Sequence, residues 1–218
     1  MPEIIARYAT GNKAIDIGCG TGRSTRFLQR LGFDAVGVDI AGKMIEKARQ
    51  IDPDGDYRLI DGGDLSEFQE NAYDLAVAIF TFDNVSTMES KVTLLLEMRR
   101  LLKADGRIIN LVSAPQIYTH EWASFSTRYY PENRCARSGD KVKIVMTDVG
   151  DRRPVEDIVW SDEAYQETYR QAGLHVLATL KPLAKEDEPY EWVNETRIAP
   201  WVIYVLQKAE KRCRRKGQ

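Results

Sequence analysis

The 218 residues are 43% hydrophobic and 29% charged, values of a globular chain with one domain or at most two small ones. A net charge of -2 gives no strong pull toward nucleic acid or an anionic membrane. The cysteines, at 19, 135 and 213, are odd in number and lack ligand spacing, which argues against a disulfide scaffold and against zinc. No metal is therefore expected, and the setting is expected to be the reducing cytoplasm. No apolar run approaches the roughly 18–20 residues of a membrane span, and Met1 to Thr10 lacks a signal-peptide hydrophobic region.

About a dozen residues precede the first strand, with Pro2 to Tyr8 reading as one or two helical turns. Ala14 to Ile17 is a short apolar run broken by Asp16. Gly18, Gly20 and Gly22 then follow at alternate positions, and Ser24 to Arg30 reads as helix. Strand, glycine turn and helix together open a nucleotide-binding βαβ unit. The glycines allow a sharp turn at positive φ and a close approach of backbone to a ligand. A tight turn with no ligand has the same composition, so the spacing matters more. The dinucleotide fingerprint G-x-G-x-x-G would need a third glycine at position 23, where Arg23 stands. The pattern here is D-x-G-x-G-x-G.

Asp34-Ala-Val-Gly-Val-Asp39 predicts a second strand ending in an acid. A carboxylate there can accept hydrogen bonds from both ribose hydroxyls. It can also serve as N-cap of the helix predicted over Gly42 to Gln50. In that helix Met44, Ile45 and Ala48 form an apolar stripe. Tyr57 to Ile60 reads as a third strand, followed by Asp61-Gly-Gly-Asp64-Leu65. Tyr73 to Phe80 is apolar nearly throughout, as in a parallel strand buried on both faces. Thr81-Phe-Asp-Asn-Val85 follows at its carboxyl end, where open α/β sheets bind ligands. Asp83 lies in this stretch, as a candidate base or as a cap for the helix predicted over Lys91 to Leu102. Lys103 to Gly106 reads as a stop and turn, and Arg107 to Ser113 as the fifth strand.

Residues 115–160 break the alternation. Tyr118, Trp122, Phe125, Tyr129 and Tyr130 make the block aromatic, and Arg128, Arg134 and Arg137 add charge. Lys141 to Asp148 and Val155 to Trp160 predict a hairpin. The block reads either as an acceptor-side cover or as a packed surface hairpin. Ser161 caps a helix that Gly173 ends, and Leu174 to Leu180 and Ile198 to Leu206 are the last strands. Residues 209–218 read as a disordered basic tail, with RNA contact as a minor alternative.

D-x-G-x-G-x-G resembles motif I of the class I S-adenosylmethionine (SAM) dependent methyltransferases, in particular small-molecule members of the type 11/25-like kind. Asp39 at its spacing and the run LLEMRRLLKADGRIINL extend the resemblance. It runs well over about residues 13–114 and more loosely over 161–207. It implies an α/β, Rossmann-like, seven-stranded mostly parallel sheet in the order 3-2-1-4-5-7-6, the last strand antiparallel. Helices would cover both faces, and residues 115–160 would be inserted after strand five into one methyltransferase domain. The cofactor implied is SAM, leaving as S-adenosylhomocysteine. Asp16 and the backbone of Gly18, Cys19, Gly20, Thr21 and Gly22 would hold its methionine end. Asp39 would take the ribose; Ile40 and Leu65 would flank the adenine; Asp64, with Asp61 as its rival, would bind the adenine amine beside the Leu65 backbone amide; Met44 would belong to the same cofactor site, and Phe80 would close the pocket through its backbone and ring.

The reaction implied is methyl transfer to an O, N, S or C nucleophile of a small organic acceptor, with His120, Tyr118 and Asp83 as candidate bases. The [DNS]-P-P-[YFW] motif of nucleic-acid and protein amino methylation is absent after strand four, so nucleic acid is not the expected acceptor. The expected assembly is a monomer or homodimer, with no membrane partner. Two rivals remain at this point: a non-catalytic SAM-binding regulatory or scaffold subunit, and an NAD-dependent oxidoreductase, against which Arg23 counts.

Overall fold

The computed structural model describes residues 1–209. The basic tail predicted at the end of the chain lies, beyond Ala209, outside the described residues. The elements run α1 (Pro2–Tyr8), β1 (Lys13–Ile17), α2 (Arg23–Arg30), β2 (Asp34–Asp39), α3 (Gly42–Ile51), β3 (Asp56–Leu59), β4 (Tyr73–Ile79), α4 (Met88–Leu101) and β5 (Leu102–Ser113). After them come β6 (Phe125–Ser126), β7 (Lys141–Met146), β8 (Pro154–Ile158), α5 (Asp162–Gln171), β9 (Leu174–Leu180) and β10 (Trp201–Lys208).

Seven strands form one sheet in the order β3-β2-β1-β4-β5-β10-β9. With β9 and β10 counted as its sixth and seventh strands, this is the order 3-2-1-4-5-7-6 expected above. β1 pairs in parallel with β2 and β4, and β5 with β4, whereas β10 runs antiparallel to β5 and β9. Alternate residues of these strands enter opposite layers, as the two-residue period of a strand requires. Ile15, Ile17, Ala76, Ile108 and Val112 pack with Leu95 and Met98 of α4 and Tyr165 and Tyr169 of α5. Ala14, Leu75, Val77, Ile109 and Leu111 pack with Ile5 of α1 and Leu28 of α2. Because the central strands are parallel, the carboxyl ends of β1, β2, β4 and β5 all open on one edge of the sheet.

Several local expectations are corrected. The helix before β5 begins earlier than Lys91, at Met88, because the Thr87 hydroxyl caps it by accepting from the Ser90 amide at 3.1 Å. Asp83 is therefore not its cap. The predicted stop over Lys103 to Gly106 is instead extended chain: β5 starts at Leu102, straight from the helix, and its pairing with β4 slips register between Tyr73 and Leu75. In α3 only Ile45 and Ala48 are buried; Met44 faces out. The helix cap proposed at Ser161 and the left-handed stop at Gly173 (φ +66°) are both present.

Residues 115–160 contain a separate three-stranded antiparallel sheet, β6-β7-β8. It has its own core of Ile117, Tyr118, Trp122, Phe125, Val142, Ile144 and Val159. The predicted hairpin corresponds to β7 and β8, and the two-residue strand β6 is an addition that the sequence pattern was too short to reveal. Glu195 joins this unit to the 181–200 segment, accepting from the amides of Ala123 (2.7 Å) and Val193 (2.8 Å).

Candidate active site

The glycine turn joins β1 to α2 at the open edge of the sheet. Gly18, Gly20 and Gly22 all have positive φ (+71°, +54° and +79°). The three positions differ in what they demand. A Cβ on Gly18 would meet the Thr81 side chain at 2.5 Å, and one on Gly22 would meet the Tyr57 ring at 2.5 Å. Those two glycines make room for neighbouring side chains. A Cβ on Gly20 would meet nothing within 4 Å, so this position opens onto free space.

The backbone of the turn is only partly free to hold a ligand. The amides of Gly18 and Cys19 both donate to the Val38 carbonyl (2.8 and 3.0 Å), and that of Gly22 to the Cys19 carbonyl (2.9 Å). This narrows the expectation that the whole backbone from Gly18 to Gly22 grips a ligand. Cys19 enters through its backbone only. Its thiol is buried beside Ile45, Ala48 and Tyr57, and burial, with Asp16 and Asp39 nearby, pushes it up to about 12.

Asp16 is fully buried beneath the turn. Its Oδ2 accepts from the hydroxyls of Ser24 (2.6 Å) and Thr25 (2.7 Å), while its Oδ1 has no hydrogen-bond partner among the described residues. Burial raises its pKa to about 6 against the pull of those two hydroxyls. A buried carboxylate oxygen with no donor is costly, and it marks a place for a cationic or N–H-bearing group.

Asp39 ends β2 and clasps the turn. Its Oδ2 accepts from the Gly20 amide and its Oδ1 from the Ala41 amide, each at 2.8 Å. It stands two residues ahead of Ala41, the N-cap of α3, so the capping alternative is not what it does. A carboxylate offers about four acceptor positions, so both amide bonds leave capacity for hydroxyl donors. Just beyond it Ile40 is 66% exposed and Met44 46% exposed, a pair of apolar side chains open to a planar ring.

The Leu65 side chain is fully buried in the core, so only its backbone can meet a ligand; its carbonyl accepts from Arg100 at 2.8 Å. Asp64 is exposed and accepts from the Ser66 amide at 2.8 Å, as the end of a tight turn made by Gly62 and Gly63. Phe80 directly follows β4 at the carboxyl edge of the sheet. It holds a left-handed backbone (φ 59°), which is rare for a bulky side chain and costs of order 1–3 kcal/mol. Its ring packs edge-on against Trp201, 5.8 Å between centroids.

The three candidate bases do not form one open site. Asp83, in a single helical turn Thr81–Asn84, is buried and accepts from the Ser113 hydroxyl (2.8 Å) and amide (3.1 Å), tying the ends of β4 and β5 together. Tyr118 is buried and donates to Asp157 of β8 at 3.3 Å; burial, with Asp83 and Asp157 close by, pushes its hydroxyl well above the usual range. His120 is partly exposed and packs edge-on against Trp122 at 6.3 Å.

Several contributors were not singled out from the sequence. Ser24 and Thr25 hold Asp16, Thr81 supports Gly18 and donates to the Ile17 carbonyl at 2.6 Å, and Ser113 holds Asp83. The largest omission is Lys91. It is fully buried, donates to the Phe82 carbonyl, and sits over the rings of Trp160 (4.8 Å), Tyr165 (5.4 Å) and Phe82 (5.7 Å). Burial drives its amine down to about 7, while burial and the Asp157 charge drive Asp83 up to about 7. The signal was its position, four residues before Leu95 on the stripe Leu95, Met98 and Leu101.

Fold and site together resemble one class, the class I SAM-dependent methyltransferases, whose Rossmann-like sheet order this chain shares. A family described as "Methyltransferase domain" matches residues 15–110. Among similar proteins, a demethylmenaquinone methyltransferase of Tropheryma whipplei is 33% identical over 102 residues, 45% of this chain and 41% of that protein. The 18S rRNA (guanine-N(7))-methyltransferase of Bos taurus is 37% identical over 65 residues, 30% of this chain and 23% of that protein. The chain thus spans less than half the length of the curated relatives it matches. A SAM-dependent methyltransferase structure from Methanosarcina mazei superposes with a TM-score of 0.69 at 16% identity, over 95% of this chain and 98% of that one.

SAM is the cofactor of this class, and the residues present fit it. The donorless Asp16 oxygen suits an ammonium, the space at Gly20 suits a close-lying ligand, and Asp39 suits ribose hydroxyls.

Proposed function

We propose that this protein is an enzyme that transfers the methyl group of SAM to a nucleophilic atom of a small organic acceptor. The observation that carries this reading is Asp39 clasping the Gly20 amide at 2.8 Å beside a buried Asp16 oxygen that has no donor among the described residues. Asp16 would take the ammonium of the methionine end. The amides near Thr21 to Ser24 at the start of α2 would take its carboxylate, and Asp39 the ribose. Ile40 and Met44 would lie against the adenine. SAM supplies an already activated methyl group, so the chain's task is to orient an acceptor and exclude water. Holding the reactants in line can contribute roughly 7–11 kcal/mol.

We place the acceptor between Phe80, the segment Thr81–Asn84 and residues 115–160, all of which lie at or leave from the carboxyl edge of the sheet. Block 115–160 would be its cover. Relatives named for quinone-type and for rRNA acceptors match this chain, so the family does not choose between them. A net charge of -2 supports the small acceptor, because a duplex or rRNA reader depends on a basic face to meet phosphates. Free thiols at Cys19 and Cys135 support a cytoplasmic setting. Among the described residues no helix is long and apolar enough to cross a membrane.

The test is incubation of the purified protein with SAM and an extract of small metabolites, followed by mass spectrometry. A product heavier by one methyl group, together with S-adenosylhomocysteine, is expected. SAM binding without any turnover across small-molecule and RNA fractions would favour a non-catalytic SAM-binding protein instead.

A further inference from the structure

The inserted sheet carries a feature that the reading above does not use. A cleft of about 670 Å³ opens on it, and its lining includes Arg128, Arg152, Tyr129, Tyr130, Ser126 and Thr147. The volume falls within the range of small-molecule sites. No carboxylate lines it. Asp148 and Asp151 occupy the same β7–β8 turn but stand outside the lining, and Asp151 is paired with Arg153 at 2.6 Å.

The charge balance is one-sided. Arg152 has no acidic partner among the described residues. Arg128 reaches Glu121 only at 3.4 Å, and that carboxylate already accepts from the Ser126 hydroxyl (2.7 Å) and the Thr127 amide (2.8 Å). One carboxylate against two guanidiniums leaves the cleft positive. A guanidinium offers a planar fork of donors suited to a carboxylate or a phosphate. Beside the pair, Tyr129 is 66% exposed, an aromatic face with little protein to cover it. Tyrosine rings and guanidinium planes both stack on flat rings.

We propose that this cleft binds the anionic, aromatic end of the methyl acceptor: a planar ring against Tyr129 and Tyr130, with a carboxylate or phosphate held by Arg128 and Arg152. The proposal deepens the methyltransferase reading and rests on it, since the cleft belongs to the segment that leaves the sheet at the cofactor's edge. It names one ligand chemistry with two sources, an aromatic acid or an aryl phosphate.

The experiment is calorimetry on the full chain saturated with SAM, using salicylate, phenyl phosphate, inorganic phosphate and the neutral benzyl alcohol as probes. Variants are R128Q/R152Q and, as a control on the same turn, R153Q. At least one of salicylate and phenyl phosphate should bind, and which one identifies the source of the charge. Benzyl alcohol should bind at least ten-fold more weakly. R128Q/R152Q should weaken the anionic probe ten-fold or more while SAM affinity and melting temperature hold, and R153Q should leave it unchanged. Equal probe binding to wild type and R128Q/R152Q would overturn the proposal, as would no probe binding to a chain that still binds SAM. Inorganic phosphate binding as tightly as phenyl phosphate would overturn the role of the tyrosines. A folded chain that bound no SAM would overturn the methyltransferase reading beneath it.

Discussion

Replacing Lys91 with Met should change stability in a way that depends on pH. Lys91 is fully buried, and its amine titrates near 7 where an unfolded chain would hold its proton to about 10.5. Between these values the unfolded chain binds a proton that the folded chain does not, so stability rises with pH across that window. Each pKa unit corresponds to about 1.4 kcal/mol. From pH 7 to 9.5 the wild type should therefore gain about 3 kcal/mol from this residue, and Lys91→Met should lack that gain. Asp83 acts on the other side. Its folded pKa is raised to about 7, so its contribution is present at low pH and is lost between about pH 4 and 7. At pH 7 the variant removes a desolvated amine but leaves the Phe82 carbonyl without its donor, two effects of opposite sign and of order 1–3 kcal/mol. The informative quantity is thus the difference between variant and wild type. Urea unfolding at pH 7.0 and 9.5 measures it. The variant should lose ground by about 3 kcal/mol between the two pH values. A difference that does not move with pH would mean that Lys91 titrates like an exposed lysine, and the argument from burial would fail.

Asp39→Ala should weaken SAM ten-fold or more in calorimetry, since a charge-assisted hydrogen bond is worth about 1.5–3 kcal/mol and 1.4 kcal/mol is ten-fold; unchanged affinity would reduce Asp39 to a clasp for the glycine turn. Gly20→Ala and Gly18→Ala should differ in kind. At Gly20 the new methyl enters open space, so the cost to folding is the left-handed backbone, about 1–2 kcal/mol, and the main loss is SAM affinity. At Gly18 it strikes Thr81 at 2.5 Å, so thermal stability should fall further, and equal melting temperatures for the two variants would contradict this. Hydrogen exchange should show residues 115–160 gaining more protection than the central sheet when cofactor and acceptor bind; high protection in both states would make the block a fixed structural unit.

The sheet order was legible only through the family resemblance that D-x-G-x-G-x-G carries; the residues themselves showed buried parallel strands, as in the apolar run Tyr73 to Phe80. Asp39 was legible from its distance to that motif. The burial of the Leu65 side chain was not legible because spacing along a loop does not say which side chain turns inward: Arg100 binds the carbonyls of Leu65 and Phe68 and draws the loop onto the core. The expected turn at Lys103 to Gly106 was misread because glycine signals a turn, whereas Gly106 is there to approach the Tyr73 carbonyl, which a Cβ would meet at 3.0 Å. Lys91 escaped notice because a lysine is expected to face water; only its register with Leu95 gave it away. The pairing of Tyr118 with Asp157 spans 39 residues between the two ends of the inserted block and leaves no local pattern.

Calorimetric titration of the purified chain with SAM, S-adenosylhomocysteine and NADH side by side tests the central claim most directly. Binding of SAM and S-adenosylhomocysteine with no heat from NADH is the predicted result. Tight NADH binding with no response to SAM would contradict it.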